Sequence, residues 1–153
     1  GGITPWHADQ YYWPLQTDKT ITAWIPLQAT PLEMGPLEFS AGSHVIVEGR
    51  ELAIGDDSEV IIQKKLRVTD FKHVIEPFDL GEVSFHSGWV FHRAGANQTA
   101  DMRKVMTVIF MDKDMHISPK ENVLMKPINC QIKCPPLKQS RRLALKMLNP
   151  NCY

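Results

Sequence analysis

The feature that most restricts the fold is a succession of short strand-like runs, each closed by proline, glycine or an Asn/Asp/Ser cluster before it reaches helix length. Residues 20–27 alternate, with Ile21, Ala23 and Ile25 on one face and Thr22, Trp24 and Pro26 on the other. Residues 37–39 form a short strand ahead of a tight turn at 41–44, and residues 74–76 and 82–85 are strands around the turn 77–81. Residues 105–111 carry the strongest β signal in the chain. Residues 89–97 pass from an aromatic and β-branched run into a Gly/Asn turn, which predicts a strand entering a hairpin, with Arg103 near the start of the returning strand. Helices are few. One is predicted over about 56–65, opened by a capping box from Asp56 to Glu59. In the C-terminal part Pro119, Pro127, Pro135 and Pro136 forbid long helices until an amphipathic stretch at 138–147. Many short strands with minor helices predict an all-β sandwich or barrel.

The chemistry concentrates in Thr4-Pro5-Trp6-His7-Ala8-Asp9-Gln10-Tyr11-Tyr12-Trp13. In an extended chain alternate side chains share a face, so His7 and Asp9 project together while Ala8 turns away. One imidazole and one carboxylate are half of a metal site. A second histidine would complete a 2-His-1-carboxylate triad, which leaves positions open on an octahedral ion and marks non-haem Fe(II) oxygenases. The pair alone also fits ordinary surface residues, and the chain offers His44, His73, His86, His92 and His116 as partners. Arg103 offers a planar fork of donors suited to a carboxylate.

The motifs taken together resemble the phytanoyl-CoA dioxygenase family of Fe(II)/2-oxoglutarate-dependent oxygenases. The resemblance runs from Trp6-His7-Ala8-Asp9-Gln10-Tyr11-Tyr12-Trp13 through Thr22-Ala23-Trp24-Ile25-Pro26-Leu27, Gly35-Pro36-Leu37 and Gly42-Ser43-His44. It continues with Gly81-Glu82-Val83-Ser84-Phe85-His86 and ends with His92, Asn97 and Arg103, covering residues 4–112. It implies a double-stranded β-helix, the cupin-like jelly roll. It also implies His92 as the third metal ligand, Fe(II) with 2-oxoglutarate and O2 as cosubstrates, and Arg103 as the clamp on the C5 carboxylate of 2-oxoglutarate. The implied reaction is hydroxylation of an unactivated C–H bond in a small-molecule or acyl substrate, with succinate and CO2 as co-products. Trp24 is expected either beside 2-oxoglutarate or as a core aromatic, and Gln10, Trp13 and Trp89 are the expected substrate neighbours. The spacing to Asn97 and Arg103 selects His92 over His86, which is read as structural, as is His44 in its turn.

The chain departs from the family at Ala94, where a serine or threonine usually shares the carboxylate; Thr107, on the same face as Arg103, is the expected compensation. That departure keeps open a catalytically weak or inactive metal-binding jelly-roll module. A cupin-type metalloenzyme that does not use 2-oxoglutarate is the other alternative, and Arg103 argues against it, since a buried arginine would lack a partner. Asp9 argues against a halogenase, whose relatives replace that carboxylate with a small residue.

Residues 1–153 read as a single oxygenase domain lacking its N-terminal portion, with a lid-like insertion at 45–78 and a tail at 113–153. The strand left beside the missing front predicts an open edge and a homodimer through it. Seventeen basic and seventeen acidic residues cancel, which gives no support to nucleic-acid binding, and no apolar run reaches the length of a membrane span. The three cysteines, Cys130, Cys134 and Cys152, follow neither a disulfide nor a zinc pattern and are read as free thiols in a reducing cytoplasm.

Overall fold

The structure, a computed structural model, describes residues 2–118, so the cysteines and the stretch 138–147 lie outside the described residues. In chain order its strands are β1 (Thr4–His7), β2 (Thr20–Pro26), β3 (Leu37–Ala41), β4 (Lys72–Ile75), β5 (Ser84–Ser87), β6 (His92–Ala94) and β7 (Val105–Met111). A helix, α1 (Asp56–Arg67), stands between β3 and β4. All pairings are antiparallel and form two sheets, ordered β1-β6-β3-β4 and β5-β2-β7. The chain changes sheet at every connection except β3 to β4. That winding is a jelly roll, as the short alternating runs predict.

The expected hairpin after His92 does not form. β6 already has β1 on one edge and β3 on the other, so no edge is left for β7, and the chain crosses to pair with β2. The crossing is fixed by Asn97, whose Nδ2 donates to the Asp101 carbonyl at 2.7 Å while its Oδ1 accepts the Thr99 N–H at 2.9 Å.

Along β2, Thr20, Thr22, Trp24 and Pro26 are all buried, while on the other face only Ala23 is buried and Ile21 stays 48% exposed. The more polar face is turned inward because it meets the site. Register aligns the inner faces: Phe39 lies opposite His92 and Leu37 opposite Ala94. Trp24 packs with Leu37, Phe39 and Ala94 to fill the space between the sheets.

On the other side of the four-stranded sheet, Trp6, Ala8, Ile46, Ile62 and Phe91 form a second cluster beneath α1. The stretch 45–78, expected as a lid-like insertion, is therefore built into the domain. Ile62 of α1 is 1% exposed, β4 extends the sheet beside β3, and the Ile54 N–H donates to the Tyr12 hydroxyl at 2.6 Å. The helix also starts differently from expectation. Ser58 closes the first turn, its Oγ accepting the Gly55 N–H at 3.0 Å and donating to the Gly55 carbonyl at 2.9 Å. Glu59 is thereby free for a different task.

Candidate metal centre

β1 ends at His7, but Ala8 keeps an extended backbone (φ −122°, ψ 127°) before the 3-10 turn Asp9–Tyr12. The alternation thus carries one residue past the strand and brings Asp9 back beside His7. Oδ1 of Asp9 lies 3.4 Å from His7 Nε2 and 3.5 Å from His92 Nε2. The three donor atoms of His7, Asp9 and His92 all lie within 4.8 Å of one another. Bonds of about 2.1 Å at right angles would set such atoms about 3 Å apart, so the cluster is sized for one ion.

The protonation states also suit a cation. His7 Nδ1 is 2.7 Å from the Pro5 carbonyl and His92 Nδ1 is 3.0 Å from the Val90 carbonyl. A carbonyl only accepts, so in each ring Nδ1 carries a proton, which leaves Nε2, turned toward Asp9, as the nitrogen that can take a metal. Burial, with His86 and His7 alongside, pushes His92 down to about 3 against the pull of Asp9, so it is a neutral imidazole. Burial works against the Asp9 anion, but contacts to His7 and His86 and the charge interactions with His92 and His86 outweigh it and hold the carboxyl far below the usual range. A neutral imidazole and a carboxylate are the forms that bind metal.

One carboxylate braces both ligand strands from behind. Glu59 of α1 accepts the Trp6 N–H at 2.8 Å and the Arg93 Nη1 at 2.5 Å. Trp6 precedes His7 and Arg93 follows His92, so the helix grips each strand one residue from its ligand. Nothing in the sequence spacing marks Glu59 beyond its place in the first turn of a helix.

The other expected site residues divide. Gln10 is spent on structure: its backbone N–H donates to the Gly88 carbonyl at 2.9 Å, its Oε1 accepts the Thr20 hydroxyl at 2.7 Å, and its Nε2 donates to the Thr17 carbonyl at 3.3 Å. A Cβ on Gly88 would sit 2.5 Å from both Gln10 Oε1 and Thr20 Oγ1, so this approach requires glycine. Trp89 packs against the cluster under α1 with the Arg50 guanidinium 4.4 Å above its ring, and Trp13 is half-buried after the 3-10 turn. Trp24 takes the core role, its ring 5.0 Å from Phe78. His44 is an exposed turn residue whose carbonyl accepts from Arg50.

Arg103 is not among the groups around Asp9. Its Nη1 donates to the carbonyls of Met34, Gly35 and Gly95, pinning the loop ahead of β7, while Nε and Nη2 donate to no described residue. Gly35 has a left-handed backbone (φ 68°) and sits so close to the Gly95 carbonyl that no side chain fits. His86, read from the sequence as a structural histidine near the mouth of the site, lies beside the triad: its Nε2 is 3.5 Å from Asp9 Oδ2 and its ring 4.4 Å from that of His92. Thr22 joins it, donating to Asp9 Oδ2 at 3.1 Å.

The family model of phytanoyl-CoA dioxygenase (PhyH) matches residues 1–105. The chain belongs to that family. Among solved structures it is similar to the epimerase SnoN from nogalamycin biosynthesis, in complex with Fe3+, α-ketoglutarate and nogalamycin RO, at 25% identity and a TM-score of 0.67, covering 90% of this chain and 53% of that one. It is similar also to the non-heme α-ketoglutarate-dependent carbocyclase SnoK of the same biosynthesis, at 29% identity and a TM-score of 0.63, covering 77% of this chain and 46% of that one. AviO1 from Streptomyces viridochromogenes matches at 26% identity and a TM-score of 0.55, covering 77% of this chain and 47% of that one. The chain thus spans about half the length of these structures. Among curated proteins no significant match is found. No helix among the described residues is long and apolar enough to cross a membrane.

Proposed function

We propose that the chain is the metal-binding part of an Fe(II)- and 2-oxoglutarate-dependent dioxygenase that hydroxylates a C–H bond of a small-molecule or acyl substrate. The observation that carries this reading is the triad itself: three donor atoms within 4.8 Å, with both imidazoles locked at Nδ1 so that Nε2 faces inward. His7, Asp9 and His92 hold the iron. Ferrous iron, with 2-oxoglutarate and O2, supplies the oxidising power, and succinate and CO2 leave as co-products. The membership in the family and the likeness to α-ketoglutarate-dependent enzymes support that choice of cosubstrate.

The protein's own part is positioning. Arg103, whose Nε and Nη2 donate to no described residue, is the residue to take the C5 carboxylate of 2-oxoglutarate. Thr107, paired with Trp24 across β2 and β7 and exposed, offers a hydroxyl in place of the one that Ala94 lacks. An apolar cavity lined by Leu37, Phe39, Val74, Phe78 and Val83 supports a largely apolar substrate. Its Phe39 wall also packs against the rings of His86 and His92, at 5.2 and 6.2 Å between centroids.

The test is anaerobic loading of the chain with Fe(II), followed by O2 and 2-oxoglutarate, with succinate measured. Iron-dependent succinate release is expected. A chain that binds no iron overturns the reading. Stoichiometric iron with no succinate favours the alternative, a metal-binding jelly-roll module, which the alanine at position 94 supports.

A second part of the reading concerns assembly. β7 pairs with β2 on one edge and with no described strand on the other, and its exposed side chains other than Thr107 are apolar. Such an edge is a template for antiparallel pairing, which supports a two-fold dimer.

A further inference from the structure

We propose that His86 is a positioning residue for Asp9: together with Thr22 it holds Oδ2, so that Asp9 meets the metal through Oδ1 alone. The inference rests on the metal-centre reading above and goes one step past it.

His86 and Thr22 are cross-strand partners in the β5–β2 register. From adjacent strands of the three-stranded sheet they reach across the jelly roll to one carboxylate oxygen, Thr22 Oγ1 at 3.1 Å and His86 Nε2 at 3.5 Å. The opposite oxygen faces His7 and His92. The carboxylate is therefore divided, one oxygen toward each sheet.

The His86 side chain is 3% exposed, yet neither ring nitrogen has a hydrogen-bond partner among the described residues. Buried polar atoms are rarely left so, and Asp9 Oδ2 lies 3.5 Å from Nε2 of this ring. His86 is not a fourth ligand. It lacks the Nδ1-to-carbonyl anchor that sets the tautomer in His7 and His92, and the donor atoms that cluster for a metal are those of His7, Asp9 and His92. Its ring is wedged between Phe39 and His92, which fixes where Nε2 points.

The consequence is a matter of coordination count. A carboxylate with two free oxygens can chelate, which would take a fourth position on an octahedral ion. With Oδ2 held back, three protein donor atoms leave three positions, the number that a chelating 2-oxo acid and O2 need together. Groups that orient a metal-bound carboxylate commonly carry 10- to 100-fold in affinity or activity, about as much as the loss of a ligand's hydrogen bond implies.

The experiment uses the 153-residue chain loaded with Co(II), whose visible spectrum reports coordination number. Wild type, His86→Phe, His86→Gln and Thr22→Val are compared for Co(II) stoichiometry, visible spectrum, 2-oxoglutarate affinity and urea midpoint. His86→Phe keeps the ring packing and removes the donor. It should retain one Co(II), shift the Co(II) spectrum and weaken 2-oxoglutarate binding about ten-fold, whereas His86→Gln, which restores an N–H, should recover most of both. Thr22→Val should shift the spectrum in the same sense. If His86→Phe does not fold, Thr22→Val and His86→Gln decide: a shifted spectrum in Thr22→Val that shifts further in the double variant supports the shared grip, and a wild-type spectrum in both Thr22→Val and the double variant overturns it. A wild-type spectrum and 2-oxoglutarate affinity in His86→Phe overturn the inference while leaving the metal centre intact. No Co(II) bound by the wild-type chain overturns the metal reading itself.

Discussion

In the four-stranded sheet β1 and β6 lie side by side, β6 is bonded on both edges and α1 covers the outer face; in the three-stranded sheet β7 lies at the edge with nearly every residue exposed. The difference follows from burial. Phe91, at the entry to β6, is 1% exposed, whereas Phe110, near the end of β7, is 52% exposed. The sheet that carries His7 and His92 is braced from behind by Glu59, and the sheet that faces them presents Thr22, His86 and the open inner side of β7. A metal site needs fixed ligands and an approachable opposite wall, and here the two needs are met by different sheets.

The contrast can be broken hardest at the ligands. Asp9→Ala should abolish stoichiometric Fe(II) retention after anaerobic loading and desalting, measured as metal content; retention at one ion per chain would remove Asp9 from the ligand set. Packing should come next. Phe91→Ala is expected to cost about 3–5 kcal/mol in urea unfolding, while Phe110→Ala should stay within about 0.5 kcal/mol. Equal losses at the two positions would show that the sheets are equally braced.

Arg103 sharpens the comparison from the soft side. Arg103→Lys loses the planar fork, so the 2-oxoglutarate Kd should rise about ten-fold or more with iron stoichiometry unchanged, read by calorimetry. The pH dependence is smaller and belongs to the braced side. His92 is held at about 3 in the folded chain against an ordinary 6.5, so between those values the unfolded chain binds a proton that the native one does not. The contribution is complete above pH 6.5, and stability of the metal-free chain should fall as pH drops toward 3. The slope attributable to His92 is at most about 1.4 kcal/mol per pH unit, and His92→Gln should remove it. The smallest effect is expected at the free edge: Met106→Lys should weaken self-association in sedimentation and leave the urea midpoint nearly unchanged.

The sequence made the first half of the metal site legible because extended backbone alternates, and Ala8 keeps that geometry although β1 stops at His7. His92 followed from the family pattern. What stayed hidden depends on contacts between distant segments. The spacing that selected His92 set His86 aside, yet a usable signal was present. Ser84 and His86 alternate as polar residues on β5, as Thr20 and Thr22 do on β2, and buried polar alternation on two neighbouring strands marks a polar interior. The first turn of α1 misled for a related reason. Glu59 fitted a capping box by position, but Ser58 took the cap, and only the approach of Trp6 and Arg93 shows what Glu59 holds.

The grip of Glu59 also bears on when the site comes into being during folding. Its two hydrogen bonds span 53 residues toward the N-terminus and 34 toward the C-terminus. Closing such loops costs entropy before any contact is gained, so these contacts belong to the slow, long-range part of the search. A partly collapsed chain that has β1 but not α1, or α1 but not β6, has no finished pair of imidazoles to offer. An ion added during refolding is therefore expected to bind with the last kinetic phase rather than nucleate the first, a result that stopped-flow refolding with and without metal would check.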